Sequence, residues 1–161
     1  MNLRWHLSHA RGYLDLGMLA EAEAELAAIP PPEDDRPEVH ALRVALLHEK
    51  CDWLELRRIA AELVQRQPDQ PGWWVSFAFA TRRTTSIEDA REILLAAERA
   101  HPEEAIIHFN LGCYACQLGE FEEARRRVRR SIQLRDELRE LAHHDPDLQP
   151  LRDQDPQAFA G

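Results

Sequence analysis

From Leu3 onward, apolar residues recur at three- and four-residue spacing, the period of helices that bury one face. The pattern predicts eight helices, near residues 3–16, 19–29, 37–50, 53–67, 72–83, 87–100, 104–117 and 121–134. Pro68 and Pro102 each close a helical run, because the ring removes a backbone donor and keeps the preceding residue out of helical geometry. The clearest unit is Phe109-Asn-Leu-Gly-Cys-Tyr-Ala-Cys-Gln-Leu-Gly-Glu-Phe-Glu-Glu-Ala124. Two small residues, Gly112 and Ala124, flank a break at Gly119-Glu-Phe121, which predicts two antiparallel helices pressed close by a tight turn. Glycine is scarce, Ala, Leu, Glu and Arg dominate, and no alternating β-branched run is present. The fold class this predicts is all-α.

The unit repeats. Pro68 and Pro102 lie 34 residues apart, and sliding the chain by that period aligns four copies without gaps. Small or near-small residues of the first helix fall at Ala10, Val44, Ala78 and Gly112, and their second-helix counterparts at Ala22, Leu56, Ala90 and Ala124. Turns align as Gly17-Met-Leu19, Cys51-Asp-Trp53, Thr85-Ser-Ile87 and Gly119-Glu-Phe121. This resembles the tetratricopeptide repeat, whose period and W-x2-L-G-x2-Y…A-x3-F…P pattern it shares. The fourth copy fits through Leu111-Gly112, Gly119, Phe121 and Ala124, and the third through Trp74, Ala78, Ala90 and Pro102. The second departs, with Val44 facing Leu56 where the family has two small residues. The resemblance implies a right-handed α-α superhelix over residues 3–136, with repeats near 3–36, 37–70, 71–104 and 105–138. Residues 137–161 then form a capping segment, with Leu138, Leu141, Leu148, Leu151 and Phe159 available to cover the last hairpin.

On each first helix, one stripe is left over after packing on the second helix is satisfied. It holds Leu7, Arg11 and Leu14 in the first repeat, and Leu42, Ala45 and His48 in the second. In the third it holds Val75, Phe79, Arg82 and Arg83, and in the fourth Phe109, Asn110, Cys113, Cys116 and Gln117. In tetratricopeptide proteins this stripe lines a concave groove, so the resemblance implies a partner-binding groove here. Its apolar residues and its Arg11, Arg82, Arg83 and His48 suit a protein or peptide segment with apolar anchors and an acidic group. The competing occupants are the C-terminal tail and a second copy. The Lys and Asn clamp of the chaperone-tail binders is absent, since Leu7, Arg11, Leu42, Gly72 and Ser76 stand in its places. The expected role is a non-enzymatic scaffold; a chaperone-like holder of apolar clients is the alternative within the binding proteins.

Charge and cysteines narrow the picture. At 161 residues the chain has the size of one domain. A net charge of −9 argues against polyanionic partners, so neither nucleic acid nor an acidic membrane is expected. No signal peptide or membrane-length apolar run is read, and three cysteines suggest reduced thiols in a cytoplasm. Cys113-x-x-Cys116 has redox and zinc spacing, the basis of the one thiol or metal alternative. Yet the pair sits mid-helix with no second ligand pair, and packing thiols are the simpler expectation. No cofactor, metal or catalytic group is expected. The run Arg125-Arg-Arg-Val-Arg-Arg130 reads as a solvated face balanced by Glu120, Glu122 and Glu123. A monomer or weak homodimer is expected.

Overall fold

The computed structural model describes residues 2–160, and every regular element in that span is helical. The α-helices are α1 (Leu3–Asp15), α2 (Leu19–Ala27), α3 (Pro37–Glu49), α4 (Trp53–Arg66), α5 (Pro71–Thr84), α6 (Ile87–Ala100), α7 (Ala105–Gln117), α8 (Phe121–Leu134), α9 (Leu138–His144) and α10 (Gln149–Gln154). Short 3-10 turns occupy Glu33–Asp35 and Pro146–Leu148. Local chemistry fixes the boundaries. Asn2 caps α1 by accepting from the Arg4 amide at 2.9 Å, and Ser86 caps α6 by accepting from the Asp89 amide at 3.0 Å. Pro37 and Pro71 open α3 and α5, where a missing amide costs no helical bond. The turns after α1 and α7 place Gly17 at φ 71° and Gly119 at φ 78°, the left-handed region open to glycine.

The chain divides into two compact units, residues 1–59 and 60–161. In the first, α1, α2 and α3 enclose Ala10, Ala22, Leu26, Ile29, Val39, Leu42 and Leu46. Ala10 and Ala22 are fully buried, as the small-residue positions of the first hairpin.

The second unit is built around α7. Not one Asp, Glu, Lys or Arg occurs between Ala105 and Gln117, and the helix is buried almost all round. A helix without a polar face needs cover on every side. α5 and α6 cover it from one direction, α8 from another, and the 3-10 turn at Pro146–Leu148 with α10 from a third. α9 packs against α8, burying Leu138 and Ala142, whereas Leu141 is 44% exposed. Leu148 and Leu151 are wholly buried, each contributing about 1.5–3 kcal/mol of apolar burial. The chain end is tied to the basic helix: Arg129 donates to the Ala158 carbonyl at 3.0 Å, and Arg139 to the Phe159 carbonyl at 2.8 Å.

One arginine of the basic run departs from the solvated face expected for it. Arg127 is only 7% exposed, because its position on α8 turns inward towards α6 and α7. It donates to Glu123 at 2.8 Å, to Glu98, and to Nδ1 of His108 at 3.2 Å. The other ring nitrogen of His108 donates to the Pro102 carbonyl at 2.7 Å, so the buried imidazole is satisfied on both sides. Arg126, seconded by Arg127, holds the Glu123 carboxyl down at about 2 against the opposing effect of burial.

Candidate functional site

Within residues 1–59, the six candidate residues fall into two environments. Leu42 belongs to the core, and Leu7 and Leu14 pack half-buried against it. Arg11, Ala45 and His48 are exposed, with the His48 ring edge-on to Trp53 at 5.3 Å. The face that α1 and α3 leave open is therefore mostly polar, with the leucines showing only their flanks.

Within residues 60–161, the candidates gather around the chain's own C-terminal segment. Phe109 and Cys113 are each 2% exposed. Val75, Phe79 and Arg82 are half-buried, and the exposed Arg83 lays its guanidinium over the Phe79 ring at 4.7 Å. The half-buried Asn110 turns back on its own helix and donates to the Ile106 carbonyl at 3.0 Å. Arg82 and Gln117 hold the tail directly. Both guanidinium nitrogens of Arg82 donate to the Asp147 carboxylate, at 2.5 and 2.9 Å, a bidentate fit available to arginine alone among side chains. The Gln117 amide donates to the Asp147 carbonyl at 2.8 Å. Asp145 fixes the turn by accepting from the Asp147 amide at 2.9 Å. Tyr114 packs its ring under Arg82 at 5.4 Å, and burial pushes its phenol up to about 12.

The resulting surface has two parts. Leu148 and Leu151 join Phe109, Cys113 and Cys116 in one core, and beside it Arg82 and Gln117 grip one acidic residue. Asp145, Asp147, Leu148 and Leu151 supply the tail's side of this contact. The leucines were visible in sequence as apolar residues in a loop-like tail; the two aspartates were not distinguished from a solvated turn. What marked their destination was the uncharged α7, which calls for a cover on the side the repeat itself leaves open.

Cys113 and Cys116 lie inside this contact as free thiols. Burial pushes the Cys113 thiol well above its usual range, with Asp145 and Asp147 adding to the effect. Burial also raises Cys116, partly offset by a backbone hydrogen bond from Leu151. Raised thiol pKa values are the reverse of what nucleophilic or redox cysteines need. The Cys113 sulfur and the Asp145 and Asp147 carboxylates lie within 4.8 Å of one another. Asp147 spends both oxygens on Arg82 and Asp145 accepts from the backbone, so these groups serve to anchor the tail. Titration of the native protein with an aromatic disulfide should therefore read one fast thiol, the exposed Cys51, and two more only after unfolding. Fast reaction of all three would contradict this burial.

No helix among the described residues is long and apolar enough to cross a membrane. No family model matches the sequence, and no curated protein is significantly similar to it. Solved structures do match in fold. TTC0263, a thermophilic TPR protein of Thermus thermophilus, aligns at TM-score 0.72 and 21% identity, covering 97% of this chain and 89% of its own. MamA from AMB-1 aligns at TM-score 0.61 and 14% identity, covering 96% of this chain and 82% of its own. MamA from MSR-1 aligns at TM-score 0.58 and 15% identity, covering 98% and 99% respectively. At these identities the likeness is one of architecture, and by architecture the chain is a tetratricopeptide-repeat solenoid of antiparallel helix pairs.

Proposed function

We propose that the protein is a non-enzymatic scaffold that binds a protein or peptide segment on the inner faces of its first helices. A rigid helical surface loses little freedom on association, which favours affinity from one side of the interface. The observation that carries the reading is the tail itself. Asp147 on Arg82, with Leu148 and Leu151 buried beside it, supplies an acidic group and apolar anchors to this surface from within the chain. A partner of the same chemistry would compete with the tail over α5 and α7. Arg82 would direct its carboxylate and the α7 surface would take its apolar residues.

A labelled peptide covering Asp145–Gln154 tests this against the full chain carrying Leu148→Ala and Leu151→Ala, in which the resident segment has lost the apolar anchors that hold it down. Saturable binding is expected, and adding Arg82→Ala should weaken it by about two- to fivefold, the worth of a partly exposed pair. A folded Leu148→Ala, Leu151→Ala protein that never takes up the peptide would count against the reading.

A further inference from the structure

The segment that encloses α7 is helical from Pro146 to Gln154, its 3-10 turn at Pro146–Leu148 running straight into α10. Leu148 and Leu151 are buried, whereas Pro146, Gln149, Pro150 and Asp153 face solvent. In an uninterrupted α-helix the Leu151 amide would donate to the Asp147 carbonyl four residues back. Here α7 takes both groups. The exposed Gln117 side-chain amide donates to that carbonyl at 2.8 Å, and the Leu151 amide makes a hydrogen bond to Cys116. Pro150 keeps the two groups available. Its ring carries no amide and crowds the carbonyl of Pro146, so the run passes from 3-10 to α at this point instead of closing into one helix. Because Pro150 is exposed, it acts through the backbone and not through a contact of its ring.

We infer that the protein partner of this surface carries the same kind of turn, acidic–apolar–x–proline–apolar at the start of a helix, with one carbonyl and one amide held open for Gln117 and Cys116. The inference rests on the scaffold reading above and adds to it the backbone shape of the partner. Two other shapes fit less well. An extended segment sends residues three apart to opposite faces, so it cannot bury both apolar anchors on α7. A regular amphipathic helix with the same acid and leucines presents the right side chains, but it spends the carbonyl and the amide on each other. Gln117 and Cys116 then lose both contacts. A second copy also brings this turn, but its own is already seated on its own α7, so the occupant is a different protein.

Fluorescence anisotropy on the full chain carrying Leu148→Ala and Leu151→Ala tests it with two labelled peptides, Asp145–Gln154 and its Pro150→Ala form. The alanine form should bind about fivefold more weakly, the worth of one or two backbone hydrogen bonds. A regular helix would gain from the same change, since alanine is the better helix former, so the sign separates the two shapes. Adding Gln117→Ala, at an exposed position, should bring the peptides within about twofold of each other, because both changes remove the same contact. Equal binding of the two peptides, or tighter binding of the alanine form, overturns the inference and leaves an acidic, apolar partner standing. Binding of neither counts against the scaffold reading as well. The otherwise unaltered chain allows the same cycle without a detached segment. There Pro150→Ala should speed the modification of Cys113 and Cys116 by about fivefold, and Gln117→Ala should cancel most of that difference. Effects of the two substitutions that simply multiply would overturn the inference.

Discussion

Gly112→Leu is expected to cost at least about 3 kcal/mol of folding stability, well beyond what its place on one buried helix would suggest. A methyl group built on Gly112 would sit 2.6 Å from a Val128 methyl, 3.2 Å from the Ala124 carbonyl and 3.2 Å from the Val128 amide. Carbon atoms attract best at about 3.5–4.0 Å, so even alanine forces a shift. Val128 cannot swing aside, because it is fully buried and a β-branched residue in a helix has one strongly favoured rotamer. Two of the three contacts are backbone atoms of α8, so relief requires the helices to separate. Gly112→Ala tests the sign of this balance. It gains about 1 kcal/mol in helix propensity, and overpacking takes back about 1–3 kcal/mol. Combining Gly112→Ala with Val128→Ala removes the closest clash, and the pair should lose less than the sum of the singles, with a coupling of about 0.5–3 kcal/mol. Denaturant unfolding of the four proteins measures it; additive losses would mean that the helices are not held at this distance by the glycine.

That contact was legible in the sequence for a simple reason. Helix boundaries and close crossings are written locally, in caps, prolines, glycines and spacing, and all eight helices of the repeat fall within two residues of their expected limits. The path of the tail is written non-locally. Arg82 and Asp147 are separated by 65 residues, and nothing in Asp145-Pro-Asp-Leu-Gln-Pro-Leu151 has a period that names its partner. Periodicity also misled at one level. Phe109, Cys113 and Cys116 do lie on the stripe that the repeat leaves over, yet each is 2% exposed. The missing inference concerned the whole helix: a segment with no charge on any face is enclosed, whatever its repeat register says. Arg127 is the converse case, where one inward position in a run of five arginines is distinguished only by the residues brought to it, Glu98 and His108.

The second large effect concerns the segment that encloses α7. Leu148→Ala together with Leu151→Ala should detach residues 145–154, because each wholly buried leucine cut to alanine loses about 2–5 kcal/mol. Two such losses approach the whole stability of a small protein, about 5–15 kcal/mol. The Arg82–Asp147 pair cannot compensate. Its side chains remain 22% and 28% exposed, so solvent screens the attraction, and its contribution lies nearer that of a surface pair than of a buried one. The two kinds of contact therefore have different duties: the leucines hold the segment down, and the arginine fork and Gln117 set its register. Arg82→Ala should leave the segment in place with a small loss in melting temperature, whereas the leucine pair should expose Cys113 and Cys116 to thiol reagent. Thiol counts taken below each variant's melting transition separate the two cases. If the doubly substituted chain still hides both thiols and keeps native stability, the leucines are not what holds the segment. If instead it opens, any partner that displaces the tail must bring apolar residues of its own, since an acidic group alone would meet Arg82 without uncovering the surface beneath it.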